Sequence, residues 1–503
     1  MHNQGLGSWT ARRARMSPDR VAVVHEDREW TYRQLHDRTT RLAHVLAALG
    51  VGHGDRVAYL GPNHPAFLET MFAVGQLGAV FVPLNWRHAA PELGYIVSDS
   101  GAEVLIHEST VEDLGTRAAV AVGEEYEALL AAADDEPIDE PVDPDDTAMI
   151  LYTSGTTGRP KGAMLTHANI AWNSVNLLLD VDLASDEVTL VAAPMFHVAA
   201  LNQTVLPTLL KGGRVILMSA FDPQSALDII AGHRVTYLFG VPTMFLTMSR
   251  APGWPTADLS SVRSAICGGA PVPEAVIALY QRRGVTFMQG YGLTEAAPGV
   301  LFLREYDSAR KAGSAGTATF FTDVRLIGPD GTDAAPGRPG EIIAQGPNIM
   351  AGYWRRPLDT AAVLSEDGWL RTGDIGVSDD DGYITIRDRT KDLIISGGEN
   401  IYPAEVEDAL YQHPSVAECA VIGVPDEHWG EVGRAIVVLR DASAPVVLSD
   451  LLEFLSTRIA KFKIPKSFIF SLVPLPRTAS GKVVKKQLRS EFGSASEGGD
   501  SGR

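Results

Sequence analysis

The stretch Ile150-Leu-Tyr-Thr-Ser-Gly-Thr-Thr-Gly-Arg-Pro-Lys-Gly162 constrains this chain more than any other. An apolar, β-prone run from Ala148 to Tyr152 passes directly into a loop of hydroxyls and glycines: Thr153, Ser154, Gly155, Thr156, Thr157 and Gly158. Glycines let backbone approach a ligand closely, and N–H groups and hydroxyls gathered on one turn cradle an anion. Lys161 adds a positive charge, so the ligand that suits the loop is a polyphosphate. The spacing is not that of a Walker A loop, which needs a Gly-Lys pair followed by Ser or Thr. Arg159 and Pro160 separate Gly158 from Lys161, and the Gly481-Lys482 pair is followed by Val483. P-loop kinases and ATPases are thereby disfavoured.

The chain has 503 residues, more than one ordinary core accommodates, so at least two domains are expected. A mean hydropathy of +0.02 and the lack of an apolar run of about 18 residues argue against an integral membrane segment. No secretory signal is visible at the N-terminus, and two cysteines make no disulfide framework. Both point to a reduced, cytoplasmic setting. The net charge of −19 disfavours nucleic acid as a partner.

Strand and helix patterns alternate from the start. Thr31-Tyr-Arg-Gln34 fits a capping box, followed by Leu42, Val45, Leu46 and Leu49 at helical spacing, with Gly50 to close the helix. Val57–Leu60 reads as a buried strand, Pro65 to Leu77 as a helix and Ala79 to Leu84 as another strand. Strands recur near Val188–Ala192, Arg214–Leu217 and Tyr237–Gly240. This alternation predicts α/β layers around mainly parallel sheets. The acidic run Asp134 to Asp146 reads as a solvated connection, and Ser494 to Arg503 as a disordered end. From Thr322 short β runs with turn signals suggest a β-rich subdomain. Past Lys391 a compact α+β unit is expected, with helices at Pro403–Gln412 and Ser449–Ile459 and strands at Val416–Ile422 and Ala435–Leu439.

Further stretches carry chemistry. Cys267-Gly-Gly-Ala-Pro271 leaves backbone bare at Gly268 and Gly269, where a flat ring could lie; alone it is equally a tight strand-to-helix turn. Gln289-Gly-Tyr-Gly-Leu-Thr-Glu295 offers Tyr291 as a stacking face, Thr294 as a hydroxyl and Glu295 as a hard oxygen suited to Mg²⁺. Trp369-Leu-Arg-Thr-Gly-Asp374 reads as a short strand ending in a turn, where Asp374 can accept two hydroxyl hydrogen bonds, as a ribose requires. Asp388-Arg-Thr-Lys-Asp392, Ser396-Gly-Gly-Glu-Asn-Ile-Tyr-Pro403 and Pro476-Arg-Thr-Ala-Ser-Gly-Lys482 complete the series.

Taken in order, these stretches resemble the signature segments of the adenylate-forming superfamily: acyl- and aryl-CoA synthetases, luciferases and peptide-synthetase adenylation domains. The resemblance covers nearly the whole chain. Pro194-Met-Phe-His-Val198, Gly313-Ser-Ala-Gly316 and Ser396-Gly-Gly-Glu-Asn400 bring it nearest to bacterial fatty-acyl-CoA synthetases. It implies an α/β fold. A large N-terminal domain, residues 1–390, would combine layered α/β subdomains with a β-rich one and hold ATP and the acyl pocket. A small mobile α+β domain, residues 391–503, would follow. ATP falls to Thr153, Ser154, Gly155, Thr156, Thr157, Gly158, Lys161, Gly269, Ala270, Gln289, Gly290, Tyr291, Asp374 and Arg389. The metal falls to Glu295. Lys482, Thr294, Glu295 and His197 take catalytic roles, Lys391 the hinge, Gly397 and Gly398 the passage of CoA. His197, Val241, Ala297 and Gly299 line the acyl pocket. ATP, Mg²⁺ and CoA are the implied cofactors, and a homodimer is compatible.

The position after Phe196 separates branches of the resemblance. Amino-acid-activating relatives carry Asp there to pair with an amine. Here it is His197, which supplies no permanent anion near neutral pH. Ala296 to Val300 and Phe239 to Met244 hold no arginine for a second carboxylate. An uncharged hydrophobic carboxylic acid, fatty or aryl, is therefore expected as substrate. The motifs report the nucleotide and leave the acceptor open. Delivery to a carrier protein, an ATP-dependent diazotase using nitrite and an aryl amine, and a catalytically idle nucleotide-binding scaffold remain alternatives.

Overall fold

The computed structural model describes residues 2–108, 113–153, 159–269, 272, 274–389, 392–396, 399–440, 448–478 and 482–493. The chain groups into two compact units, residues 1–324 with 344–371, and 325–343 with 372–503.

The first unit is built on two sheets. One is nine-stranded, running from Thr317–Ala318 through Gly299–Leu303, Thr286–Gly292, Ser264–Gly268, Tyr237–Gly240, Val188–Val191, Arg214–Leu217 and Val21–His25 to Arg28–Thr31. Its inner pairs are parallel and its edges antiparallel. The other is seven-stranded and runs from Gly352–Tyr353 through Lys161–Thr166, Thr147–Thr153, Val80–Leu84, Arg56–Leu60 and Val104–His107 to Ala118–Ala121. Parallel inner strands buried on both faces account for continuous apolar runs such as Val80–Leu84, buried throughout.

Local signals act where expected. Thr31 and Gln34 form a reciprocal capping box on the helix Tyr32–Ala48, and Gly50 takes φ +82° just past its end. The helix Pro65–Gln76 opens with Pro at its first position and is buried along its length. The acidic connection does more than bridge two elements. Asp139 Oδ1 accepts from the backbone N–H groups of His2 and Asn3 at 2.7 and 3.2 Å, which ties down the N-terminal residues.

A four-stranded sheet, mostly in the second unit, orders Asp323–Ile327, Pro339–Gln345, Leu370–Ser378 and Ile384–Arg389, the last two strands antiparallel. One expectation is corrected here. The strand does not end in a turn at Asp374 but runs nine residues, Leu370–Ser378, through Thr372-Gly373-Asp374. Gly373 takes φ +72°, which only glycine adopts freely, within the strand, and the pairing with Ile384–Arg389 shifts register just beyond it, between Ile375 and Gly376. A five-stranded sheet follows, centred on the hairpin Val416–Asp426 and Gly430–Leu439. Alternate residues face opposite layers. Cys419 and Val421 pack with the helices Pro403–Tyr411 and Leu448–Ser456, whereas Ala420 and Ile422 pack with Leu488 of the helix Lys485–Phe492. By contact, residues 325–343 and 372–389 of the β-rich segment group with the C-terminal α+β unit, whereas 344–371 group with residues 1–324. No helix among the described residues is long and apolar enough to cross a membrane.

Candidate active site

Thr153 and Lys161 end the two stems of an antiparallel hairpin and pair directly in its register. Ser154, Gly155, Thr156, Thr157 and Gly158, expected between them to take the phosphates, lie outside the described residues. Gly162 is required where it stands. A Cβ there would come within 2.4 Å of Ile150 and 3.1 Å of the Tyr152 ring. Lys161 is not a free charge. Its Nζ lies 2.5 Å from Asp359 Oδ1 and over the Tyr353 ring, 5.3 Å from the centroid. The Tyr353 hydroxyl donates to Glu295 Oε1 at 2.8 Å. Burial, and next the charge of Glu295, push the Tyr353 phenol well above its ordinary value, which keeps it a donor. Lys161 and Glu295, far apart in sequence, are thus joined through one ring that sequence reasoning missed.

Gln289, Gly290 and Tyr291 sit on the strand Thr286–Gly292, and Thr294 and Glu295 on the single turn Thr294–Ala296 that follows. Gly268 and Gly290 pair in register on adjacent strands, where a Cβ on Gly268 would come 2.8 Å from the Gly290 carbonyl. Gly269 takes φ +83°. Ala270 lies outside the described residues. Cys267 is buried, and burial pushes its thiol pKa up, away from thiolate chemistry.

The segment after Glu295 is held by amides. Asn348 Nδ2 donates to the carbonyls of Ala296 and Gly299 at 2.9 and 2.8 Å. Asn202 Nδ2 donates to the Ala297 carbonyl at 3.1 Å, and the Gly299 N–H donates to Asn173 Oδ1 at 3.0 Å. Ala297 has φ +61°, a left-handed conformation costly for a non-glycine residue. This network over-determines it.

His197 precedes the helical stretch Val198–Ala200, with its ring 4.6 Å from that of Phe196. Asn63 fixes the approach to it. Its Nδ2 donates to the carbonyls of Val191, Ala193 and Met218, and its Oδ1 accepts from the Met195 N–H at 2.8 Å. The helix then widens into a π-turn, Leu201–Val205, that carries Asn202 and Gln203. Gln203 is 9% exposed, and its Oε1 has no hydrogen-bond partner among the described residues. Its Nε2 lies 3.2 Å from where a Cβ on Gly299 would stand, so the amide covers that glycine. Val241, at the start of the helix Pro242–Met248, lies 3.5 Å from the equivalent point on Gly269.

In the second unit Asp374 pairs in register with Arg389 across the sheet, so these two sequence candidates are brought together on adjacent strands. Lys482 is tied to Thr478: the Thr478 N–H donates to the Lys482 carbonyl at 2.7 Å and the Lys482 N–H to Thr478 Oγ1 at 3.1 Å. Arg477 braces it by pairing with Glu418 at 3.1 Å. Lys391, Gly397 and Gly398 lie outside the described residues.

Known proteins fit this geometry. A family described as AMP-binding enzyme matches residues 10–354, and its C-terminal domain matches residues 405–482. A feruloyl-CoA synthase of Amycolatopsis is 58% identical over 98% of this chain and 100% of its own length. A long-chain-fatty-acid–CoA ligase of Mycobacterium tuberculosis is 40% identical over 97% of this chain and 99% of its own. The structure of Bacillus subtilis O-succinylbenzoate CoA synthetase with ATP and magnesium superimposes with a TM-score of 0.88 at 34% identity, covering 96% of this chain and 99% of that one. The chain belongs to the AMP-binding enzymes, the adenylate-forming superfamily. It is an enzyme of that family, a ligase, and the α/β class expected from sequence is the class observed.

Proposed function

We propose that this protein is an AMP-forming acyl-CoA synthetase whose acid is an uncharged aryl acid of the hydroxycinnamate kind. The observation that carries this reading is the full-length identity of 58% to a feruloyl-CoA synthase. ATP and the acid give an acyl-adenylate and pyrophosphate; the CoA thiol then attacks the acyl carbon and releases AMP. Thr153, the loop after it and Lys161 face the phosphates, Tyr291 stacks on the base, and Asp374 takes the ribose hydroxyls. Glu295 beside the Thr294 hydroxyl suits Mg²⁺, because a hard carboxylate is there, oriented by Tyr353. The metal, when bound, offsets phosphate charge. Lys482 stabilises the charge that builds between carboxylate and α-phosphate. Rotation about Lys391 then exchanges it for the CoA passage at Gly397 and Gly398, separating the two half-reactions in time.

The acyl side is assigned to His197, Val241, Ala297 and Gly299. The Gln203 Oε1, buried without a partner among the described residues, supports a substrate bearing a phenolic donor. Pyrophosphate release across ferulate, cinnamate, palmitate, phenylalanine and malonate, with and without CoA, tests the reading when product masses are taken. Ferulate is expected to lead, and phenylalanine and malonate to trail by more than about a hundredfold in kcat/KM, because Phe239 to Met244 and Ala296 to Val300 carry no charged side chain to pair with an ammonium or second carboxylate. Palmitate ahead of every aryl acid would return the protein to the fatty-acyl side. Acid-dependent pyrophosphate release that CoA does not draw on to a thioester would point to a carrier protein, and turnover only with nitrite and an aryl amine to a diazotase.

A further inference from the structure

Lys161, Asp359, Tyr353 and Glu295 form a connected chain: carboxylate to ammonium, ammonium over ring, phenol to carboxylate. Asp359 has no part in any motif read from the sequence. It stands in the helix Pro357–Val363, which is fastened to the strand that carries Tyr353, since the Tyr353 N–H donates to Thr360 Oγ1 at 2.9 Å. A Cβ on Gly352 would come 2.8 Å from Thr360, so the helix closes tightly on that strand. Asp359 is therefore presented to Lys161 by fixed backbone.

The ion pair itself is not sealed. The Lys161 side chain is 27% exposed and that of Asp359 is 37% exposed. Pairs this open are weak and exchange partners readily, whereas a fully buried pair would lock the lysine away. A polyphosphate offers several charged oxygens against the single carboxylate of Asp359. Resting on the reading that Lys161 faces the phosphates of ATP, we propose that Asp359 is the intramolecular counter-ion that Lys161 gives up when ATP or pyrophosphate arrives. Asp359 is a positioning residue. It keeps the lysine extended over Tyr353 in the absence of nucleotide, and it weakens polyphosphate binding by competing for the same ammonium. Faster escape of pyrophosphate is the benefit.

Equilibrium binding of ATP and of pyrophosphate to the full-length protein, with no acid present, tests this alongside steady-state KM and kcat. Asp359→Asn is expected to tighten both ligands about two- to fivefold, the range of an ion pair this exposed. The gain should shrink as salt is raised from 0.05 to about 0.5 M. Asp359→Glu should return affinity toward wild type, which a merely helical role for the residue would not require. In a Lys161→Ala background Asp359→Asn should have no effect. A variant that melts like the wild type yet binds pyrophosphate no more tightly overturns the proposal. So does tightening that persists without Lys161, since that would be a general charge effect. Wild-type protein that binds neither ATP nor pyrophosphate would overturn the functional reading and this proposal together, and so differs from the first two results.

Discussion

Asn348 and Lys161 both bear on Glu295, one through the backbone behind it and the other through the Tyr353 ring, yet they are held in opposite ways. Asn348 is 0% exposed and makes three hydrogen bonds, two donated to carbonyls and one accepted from Thr322. Lys161 rests in a half-open ion pair. A buried amide with every partner in place is costly to disturb, because each group left unpaired keeps its full desolvation penalty. An exposed charge pair exchanges at little cost. The contrast suits a site that must keep one backbone shape while polyphosphate charge enters and leaves. Replacing the cation Lys482 should therefore reduce rate without unfolding, and replacing an amide whose partners are all in place, such as Asn348, should do both.

Lys482→Ala gives the largest expected effect on the charge side. Adenylation should fall about 10²–10³-fold, the loss typical of one preorganised electrostatic contact. The thermal midpoint should hold, and thioester formation from supplied acyl-adenylate should stay near wild type. Equal losses in both half-reactions would remove Lys482 from the first step.

Asn348→Ala probes the other side. It leaves the Ala296 and Gly299 carbonyls without the donor they share, which should cost about 3 kcal/mol and lower the thermal midpoint, with activity falling too. Asn348→Asp should behave alike, since an ionised carboxylate cannot donate. A normal midpoint in both variants would mean that the segment holds its shape unaided.

Much of the candidate site was legible in sequence, and the reason is local. Thr31 and Gln34 lie three residues apart, Tyr152 runs straight into the glycine loop, and Thr294 and Glu295 are neighbours. What was missed is long-range and polar. Asn63, Asn202, Asn348, Tyr353 and Asp359 act on partners distant in sequence, where no spacing rule reaches. One signal was available. On the helix His167–Asp180, Asn169, Asn173 and Asn176 recur at the spacing of a buried face and are all buried. Amides at positions where apolar residues are expected imply backbone to be tied down nearby. Thr372-Gly373-Asp374 reads as a turn in sequence because a glycine at positive φ usually marks one, yet here it lies inside a continuous strand.

A buried polar group left unpartnered sharpens the contrast further. Glu108 Oε2 has no hydrogen-bond partner among the described residues. Its carboxyl is pushed up to about 7, first by burial and then by the charge of Glu26; the side chains of His64 and Tyr59 also lie close to it. An acid raised in the folded state adds nothing to stability while both states are protonated. It costs stability as pH climbs from its unfolded value toward about 7, and the cost is constant above that. Glu108→Gln should therefore match wild type near pH 4 and gain about 1–2 kcal/mol at pH 8, allowing for a side chain one-quarter exposed. A gain that is the same at both pH values would show packing, not ionisation, to be the cause.

The smallest expected effect asks whether an unpartnered group in the amide-rich region is kept for the substrate. Gln203 differs from Asn348 in one respect. Its Oε1 is buried with no partner among the described residues, whereas each polar atom of Asn348 used above has one. Such an oxygen either costs stability to no purpose or waits for a donor that arrives with the acid. A π-turn beneath it, at Leu201–Val205, is the kind of helix distortion that recurs at functional sites. If a phenolic hydroxyl supplies the donor, Gln203→Leu should lower kcat/KM for 4-hydroxycinnamates about tenfold, the worth of one buried hydrogen bond, and leave cinnamate unchanged. The same variant should be at least as stable as wild type, because it removes a buried acceptor that no described residue satisfies. Equal kinetic losses for the hydroxylated and plain acids would make Gln203 a packing residue. A drop in stability would show that its amide already serves the Gly299 backbone, as Asn173 and Asn348 do.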